Sequence, residues 1–174
     1  MKSLLFSTCL AALLTLTSLN ASAQAPTTPI EFNDHLVAIT DSLYQLGRDW
    51  GAKFNEVNQS KKYGELATTR KGLESFIKRK QVEIQKLKNI NGSEELKKAH
   101  LNFLAYEFSL IKDAFMPLEK LTAQSTDAEI KKLLDNLRAI SMEESKKLQE
   151  VNAAQRAYAE KNGFTIESGE EEDE

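Results

Sequence analysis

The sequence is poor in the residues that build disulfides, thiol chemistry and most metal sites. Its 174 residues include a single cysteine, Cys9, and two histidines, His35 and His100. Cys9 lies in an apolar amino-terminal run that we expect to be removed from the mature protein. The mature chain could then form no disulfide framework, thiolate nucleophile or cysteine-based metal site.

Two further features are missing. No segment combines alternating apolar and polar residues with an excess of β-branched side chains, so the chain offers no material for a sheet. A basic stripe is absent as well, since the net charge is −3 and the last eight residues, ESGEEEDE, hold six acids. Without Lys2 and this tail the body carries about +2. A near-neutral body of this kind excludes a nucleic-acid-binding protein, which needs concentrated positive charge.

Residues 1–23 have the form of an export signal. Lys2 precedes the apolar run LLFSTCLAALLTLTSL, and the sequence ASA at 21–23 has the small-x-small pattern that signal peptidase cleaves. The run is short and polar residues follow it, which argues against a retained transmembrane helix. Cys9 lies before most of the run without a small residue preceding it, which disfavours a lipid anchor. We predict cleavage after Ala23 and export to the periplasm or cell surface.

A mature chain of 151 residues, which is 174 less the 23 of the signal, is long enough for one domain with a core. After a linker at 24–29, apolar residues recur at helical spacing through residues 30–166 and form four stripes. The first stripe is Phe32, Leu36, Ile39, Leu43, Leu46, Trp50, Phe54 and Val57. The second is Leu66, Leu73, Phe76, Ile77, Ile84 and Leu87. The third is Leu96, Phe103, Leu110, Ala114, Leu118 and Leu121. The fourth is Ile130, Leu133, Leu134, Leu137, Ile140, Leu148, Val151 and Tyr158.

Turn and capping residues separate these stripes. Asn91-Gly92 indicates a turn, and Ser93 is a candidate cap for the third helix. The sequence TDAE at 126–129 has the form of a capping box, with a hydroxyl first and a glutamate three residues later. Asn162-Gly163 predicts the carboxyl-terminal cap of the fourth helix. Pro117 lies inside the third helix and predicts a kink or an early end. Because loops of only a few residues join the segments, the sequence predicts an all-α, antiparallel up-down-up-down four-helix bundle.

Five polar residues interrupt or flank the apolar stripes: Arg70, Lys80, His100, Glu107 and Glu144. Counting residues from the loops places Glu107 and Glu144 near mid-bundle, with Arg70 and Lys80 on either side of the level of Glu107. A buried carboxylate is costly alone and much less so with a cation beside it. We therefore predict a polar layer in which Arg70 or Lys80 neutralises the two glutamates. The layer is either structural, fixing helix register, or part of a binding site.

The same residues argue against a metal or catalytic centre. A di-iron bundle needs Glu-x-x-His pairs, whereas Leu110 and Lys147 lie three residues after Glu107 and Glu144. Covalent haem would need a Cys-x-x-Cys-His motif, which leaves a noncovalent haem on His100 or Met116 as the alternative. General acid–base catalysis needs a cleft, which continuous stripes do not indicate. We expect no metal, no cofactor and no enzymatic activity.

Three segments, FNDHLVAITDSLY, AFMPLEKL and VNAAQRAYAEKNGFTIE, carry a resemblance that spans most of residues 30–166. In them the chain resembles an uncharacterised family of exported bacterial four-helix proteins, sometimes described as surface proteins. The resemblance implies an exported bundle and carries no catalytic residues. The acidic tail at 167–174 departs from the family, and its composition is typical of a disordered segment.

Two functions follow as hypotheses. The first is a non-enzymatic, exported protein of the periplasm or cell surface that meets an unknown protein partner, with a homodimer left open. The second is a small-ligand binder that uses the aromatic third helix and the polar layer. Because four-helix folds serve both purposes, the predicted fold does not choose between them.

Overall fold

A computed structural model describes residues 25–166 of the chain, and these residues are helical without a strand. The predicted signal peptide and acidic tail lie outside the described residues. α1 spans Pro29–Ser60, a 3₁₀ turn spans Tyr63–Glu65, and α2 spans Leu66–Lys86. α3 at Glu94–Leu110, a π segment at Ile111–Phe115 and α4 at Met116–Glu119 follow one another as the third helix of the bundle. α5 at Asp127–Asn162 is the fourth. The predicted all-α four-helix fold is confirmed.

Contacts between the helices pair residues in opposite directions along the chain. On α1, Lys53 contacts Glu65 near one end, and His35 contacts Glu83 near the other, each at 2.8 Å. The same reversal relates α2 to the third helix and the third helix to α5. Neighbours in sequence are therefore neighbours in space, as an up-down-up-down bundle requires.

The predicted stripes form most of the core. On α1 the buried apolar residues are Phe32, Leu36, Ile39, Leu43, Trp50 and Val57, with Leu46 and Phe54 packed against them. Tyr63 is a core residue that the periodicity did not identify, because it lies in the 3₁₀ turn between two helices. Its hydroxyl donates to Asn58 Oδ1 at 2.8 Å, which satisfies the buried phenol.

The predicted ends of α5 are confirmed. Thr126 and Glu129 form the capping box, in which the Glu129 amide donates to Thr126 Oγ1 at 3.2 Å and the Thr126 amide donates to the Glu129 carboxylate. Gly163 ends the helix at φ 70°, a left-handed conformation that glycine adopts without strain. Phe164 then folds back, and its ring meets Tyr158 edge to face with centroids 6.0 Å apart.

The predicted side-chain cap at Ser93 is wrong. Ser93 stands at the start of α3, but its buried hydroxyl accepts a hydrogen bond from the Ile90 amide at 3.0 Å and caps no helix amide. The hydroxyl therefore stabilises the turn before α3 and not the first turn of the helix.

Pro117 shapes the third helix, where a kink or early end was predicted. The π segment ends two residues before it, at Phe115, and the third helix ends two residues after it, at Glu119. Proline has no amide hydrogen, so the carbonyl of Asp113, four residues earlier, loses its usual helical donor. Asn136 on α5 supplies the donor instead, with Nδ2 2.9 Å from that carbonyl oxygen. The interruption thus also ties the third helix to α5.

Burial along α5 is uneven. Ile130 near its start and Val151, Tyr158 and Ala159 near its end are buried, but none of the described residues at 131–150 is. The leucines and the isoleucine of that stretch are half-buried, and Met142 is exposed. α5 therefore closes the two ends of the bundle more tightly than its middle. Within residues 25–166, no helix is both long and apolar enough to cross a membrane.

Candidate functional site

A cavity of about 370 Å³ lies at mid-bundle, where α1, the third helix and the loosely packed part of α5 meet. Its apolar lining consists of Leu43, Trp50, Leu73, Phe103, Leu110, Ile111, Phe115 and Leu137. Its polar lining consists of Tyr44, Arg48, Glu107, Ser141 and Glu144, and Gly47 and Gly51 complete the wall. The size and the mainly apolar lining with a few polar groups are those of a small-molecule site.

The two glycines leave the α1 wall thin. Gly47 and Gly51 are one helical turn apart, and a β-carbon added to either would meet no atom within 4 Å. Close helix packing therefore does not explain them. A glycine inside a helix is less stable than alanine by about 0.5–1 kcal/mol, so the open space comes with a cost in stability.

Aromatic stacking builds one end of the cavity. Trp50 lies between Phe54, with ring centroids 5.6 Å apart, and Phe115, with centroids 3.7 Å apart and the planes nearly parallel. Phe115 belongs to the π segment, so the irregular turn before Pro117 supplies this ring. The indole Nε1 of Trp50 is buried without a hydrogen-bond partner among the described residues. The cavity wall thus includes an unused donor.

Glu107 is the most unusual group in the lining. Its side chain lies one turn after Phe103 on the inner face of α3, and the residue is 8 % exposed. Oε1 is buried and accepts no hydrogen bond from the part of the chain that the structure describes. Burial, together with the negative charge of Glu144, raises the pKa of Glu107 to about 8. At neutral pH the free protein therefore holds this carboxyl mainly in its protonated form.

Glu144 faces the same space from α5. It is half-buried, and burial raises the pKa of its carboxyl as well. Tyr44 and Tyr106 lie close enough to both carboxylates to be affected by their charge. Burial, together with the negative charges of Glu107 and Glu144, raises the pKa of each phenol to about 12. The hydroxyl of Tyr106 donates to the carbonyl of Ile140 on α5. The structure thus brings Glu107 and Glu144 into one electrostatic environment.

The predicted countercharge from Arg70 is wrong. Arg70 is buried, but its Nε donates to Glu119 at 2.5 Å and its Nη1 donates to Glu74 at 3.0 Å. The hydrogen bond to Glu119 raises the pKa of the guanidinium most, and Glu74 raises it as well. Glu119 lies 12 residues beyond Glu107, which is about 18 Å along a helix. Arg70 thus pairs with glutamates at the far end of the third helix and on its own helix, and not with Glu107.

Lys80 does not neutralise the glutamates either. Its Nζ pairs with Glu83 on the same helix at 2.8 Å and lies 5.9 Å from the centroid of the Phe76 ring. Glu83 also meets His35 of α1, so Lys80 belongs to a partly exposed cluster at the α1–α2 edge. Among the described residues that line the cavity, Arg48 alone is basic. It is exposed, and its Nη2 donates to Gln45 at 2.7 Å.

His100 lies apart from the two glutamates. It is buried, its Nδ1 is 3.0 Å from the Leu96 carbonyl, and burial lowers the pKa of its ring, which is therefore neutral near pH 7. It lines a separate, smaller cavity of about 180 Å³, together with Tyr44 and Val151. Within residues 25–166, no three histidine, cysteine, aspartate or glutamate side chains group as a metal site.

Comparisons with protein-family models, curated proteins and solved structures find no match. The resemblance to exported four-helix proteins therefore gains no support from them. What the fold and the site define is a class: a four-helix bundle with a mainly apolar mid-bundle cavity and two adjacent carboxyl groups in its wall.

Sequence reasoning placed Glu107 and Glu144 at mid-bundle but missed the cavity beside them. The missed lining residues include Tyr44, Gly47, Gly51 and the π segment. One signal was present: Gly47 and Gly51 are one turn apart and flank Trp50 in an otherwise uninterrupted helix. Two glycines on one helix face indicate either a close approach or a gap, and here the structure has a gap.

Proposed function

We propose that the protein is an exported, non-enzymatic binding protein that holds a small organic molecule in the mid-bundle cavity. The observation that carries the proposal is a buried Glu107 oxygen without a partner, in the wall of an apolar space of about 370 Å³. Buried polar atoms in folded proteins are nearly always hydrogen-bonded, and an unsatisfied one costs about 1–3 kcal/mol. A donor on a bound molecule would satisfy this oxygen.

Binding has more support than catalysis. Nucleophilic catalysis depends on a nucleophile that a second residue activates. Glu107 Oε1 has no such second residue in the described chain. A partner-binding protein is the alternative function. The exposed large apolar side chains of the described chain favour it less, because each lies on a different helix: Ile30 on α1, Val82 on α2 and Met142 on α5.

Trp50, the only tryptophan of the chain, gives a direct test because it lines the cavity. We would titrate protein purified after expression of the full chain with N-phenyl-1-naphthylamine, a neutral apolar dye that accepts energy from tryptophan. We expect saturable energy transfer from Trp50. Gly47→Leu should weaken dye binding at least tenfold, because the new side chain enters the cavity.

Gly72→Leu is the matched control. Gly72 is an exposed helical glycine of α2 at which an added β-carbon also meets no atom within 4 Å, and it does not line the cavity. Its dye affinity should equal that of the unchanged protein. Equal dye affinities for the Gly47→Leu and Gly72→Leu proteins, or no energy transfer in the unchanged protein, would contradict the proposal.

Export is tested on the same preparation by intact mass. A chain that begins at Gln24 would support cleavage after Ala23. A chain that retains Cys9 with the added mass of an acyl group would contradict it and indicate a lipid anchor.

A further inference from the structure

We infer that the cavity takes an organic cation, namely an amine or quaternary ammonium group attached to an apolar body. The inference rests on the proposed function and adds the charge of the ligand. Its basis is the juxtaposition of two carboxyl groups and aromatic rings in one cavity, among whose described lining residues only the exposed Arg48 is basic.

The titratable and charged side chains that line the cavity with Glu107 come from α1 and α5. α1 contributes Tyr44 and the exposed Arg48, which is held by Gln45, and α5 contributes Glu144. α2 contributes only the apolar Leu73 to the described lining. Arg70 and Lys80, the basic side chains that the sequence placed nearby, are paired with other glutamates. The interior of the site is therefore negative whenever Glu107 is ionised.

Aromatic rings flank this negative region. Phe103 lies one turn before Glu107, and its ring is tilted against Tyr44 of α1 with centroids 6.4 Å apart. Aromatic faces attract ammonium groups, and the attraction is stronger where water is excluded. The flat stack of Trp50 and Phe115 lines the same cavity and offers an apolar surface for the rest of the molecule.

A cation fits these surroundings better than other ligands. A neutral donor could bond to Glu107 Oε1 but would supply no positive charge that lets Glu107 ionise beside Glu144. An anion would add to that repulsion. A cation lets both carboxyls ionise together, because opposite charge nearby favours the ionised form. Since burial raises the pKa of Glu107 to about 8, cation binding near neutral pH should release a proton from this group.

The test compares two molecules of the same shape. Benzyltrimethylammonium and neopentylbenzene differ in the replacement of a charged nitrogen by carbon, and each would compete with N-phenyl-1-naphthylamine for the cavity. We expect the cation to displace the dye at a concentration at least tenfold lower than its neutral counterpart at pH 8.5. This preference should shrink as the pH falls below 8, because protonation of Glu107 removes its charge.

Two variants assign the preference to the carboxyls. Glu107→Gln, alone and with Glu144→Gln, should bring the ratio between the two competitors close to one while dye binding persists. Glu143→Gln is the matched control, since Glu143 is the exposed neighbour of Glu144 and pairs with Lys146 outside the cavity. It should keep the full preference.

The outcomes separate the two proposals. Dye binding with equal displacement by both competitors would overturn the inference of a cation and leave the cavity as a binding site. A cation preference that survives in the double variant would also overturn it. Absence of dye binding in the unchanged protein would overturn the proposed function, and the inference with it.

Discussion

Arg70 and Glu107 are ionisable residues of similar burial on adjacent helices, and the bundle surrounds them in opposite ways. Arg70 donates to two carboxylates, Glu119 and Glu74. Glu107 has one oxygen without a donor and the like charge of Glu144 nearby. The difference shows that this fold can pair a buried charge where the pairing joins two helices, and that it does not do so in the cavity.

Side chains pack more closely around Arg70 than around Glu107. Near Arg70, Leu66 and Leu118 have no exposed surface, and the end of the third helix closes tightly against α2. Near Glu107, the facing stretch of α5 at 131–150 contains no buried residue within the described chain. The paired charge thus lies in the tight part of the bundle, and the unpaired carboxyl lies where the bundle leaves room.

The largest expected effect is at the paired end. Arg70→Met should destabilise the protein by about 3 kcal/mol, because Glu119 and Glu74 lose their shared cation. The loss should fall at the low end of the range for broken buried pairs, since both glutamates retain some contact with water. Urea unfolding of the two proteins measures the difference.

Lys78→Met is the control for that measurement. Lys78 also pairs with Glu74, but it is largely exposed, and such pairs contribute less than about 1 kcal/mol. A loss at Arg70 no larger than that at Lys78 would show that the Arg70 pair does not hold the third helix to α2.

The second effect has the opposite sign and depends on pH. The folded protein holds the pKa of Glu107 at about 8, above its ordinary value of 4.5, so stability falls as the pH rises from about 4.5 to about 8. Glu107→Gln removes this loss. We expect the variant to be more stable than the unchanged protein by about 2 kcal/mol at pH 8.5, because a pKa difference of this size is worth at most about 5 kcal/mol and the amide also needs partners.

The gain should disappear near pH 4, where Glu107 is protonated in the folded and unfolded chains alike. Urea midpoints at several pH values between 4 and 9 measure it, with Glu143→Gln as the exposed control. A gain that is the same at pH 4 and pH 8.5, or a loss at pH 8.5, would show that Glu107 is not the uncompensated carboxyl that the structure describes.

The axial position of these residues could be read from the sequence, but their partners could not. Periodicity and loop positions placed Glu107 inside the third helix and near the level of Glu144. The same count placed Arg70 and Lys80 on either side of Glu107 and suggested a pairing that is wrong. A count of residues gives a level along the bundle to within a turn or two, whereas an ion pair depends on about 3 Å and on the direction in which each long side chain leaves its helix.

Features set by one or two local residues were more predictable than features set by several helices. The capping box at Thr126 and the glycine cap at Gly163 depend on the nearest residues of the chain, and both are confirmed. The cavity depends on the separation of α1 from α5 and on a π segment whose freed carbonyl is satisfied by Asn136. No single segment contains that information.

The smallest expected effect sharpens the comparison from the backbone side. Gly51→Ala should stabilise the protein by about 0.5–1 kcal/mol, because alanine is the better helix residue and its β-carbon meets no atom within 4 Å. Gly72→Ala on α2 should give a similar gain for the same reason.

Only the first change adds volume to the cavity wall, so Gly51→Ala should also weaken binding of N-phenyl-1-naphthylamine, whereas Gly72→Ala should not. Thermal unfolding and Trp50 energy transfer would then show higher stability with lower dye affinity for Gly51→Ala, and higher stability with unchanged dye affinity for Gly72→Ala. If both variants gained stability with unchanged dye affinity, the open space beside Gly51 would have no part in binding. The loose packing at mid-bundle would then have no functional role at this part of α1.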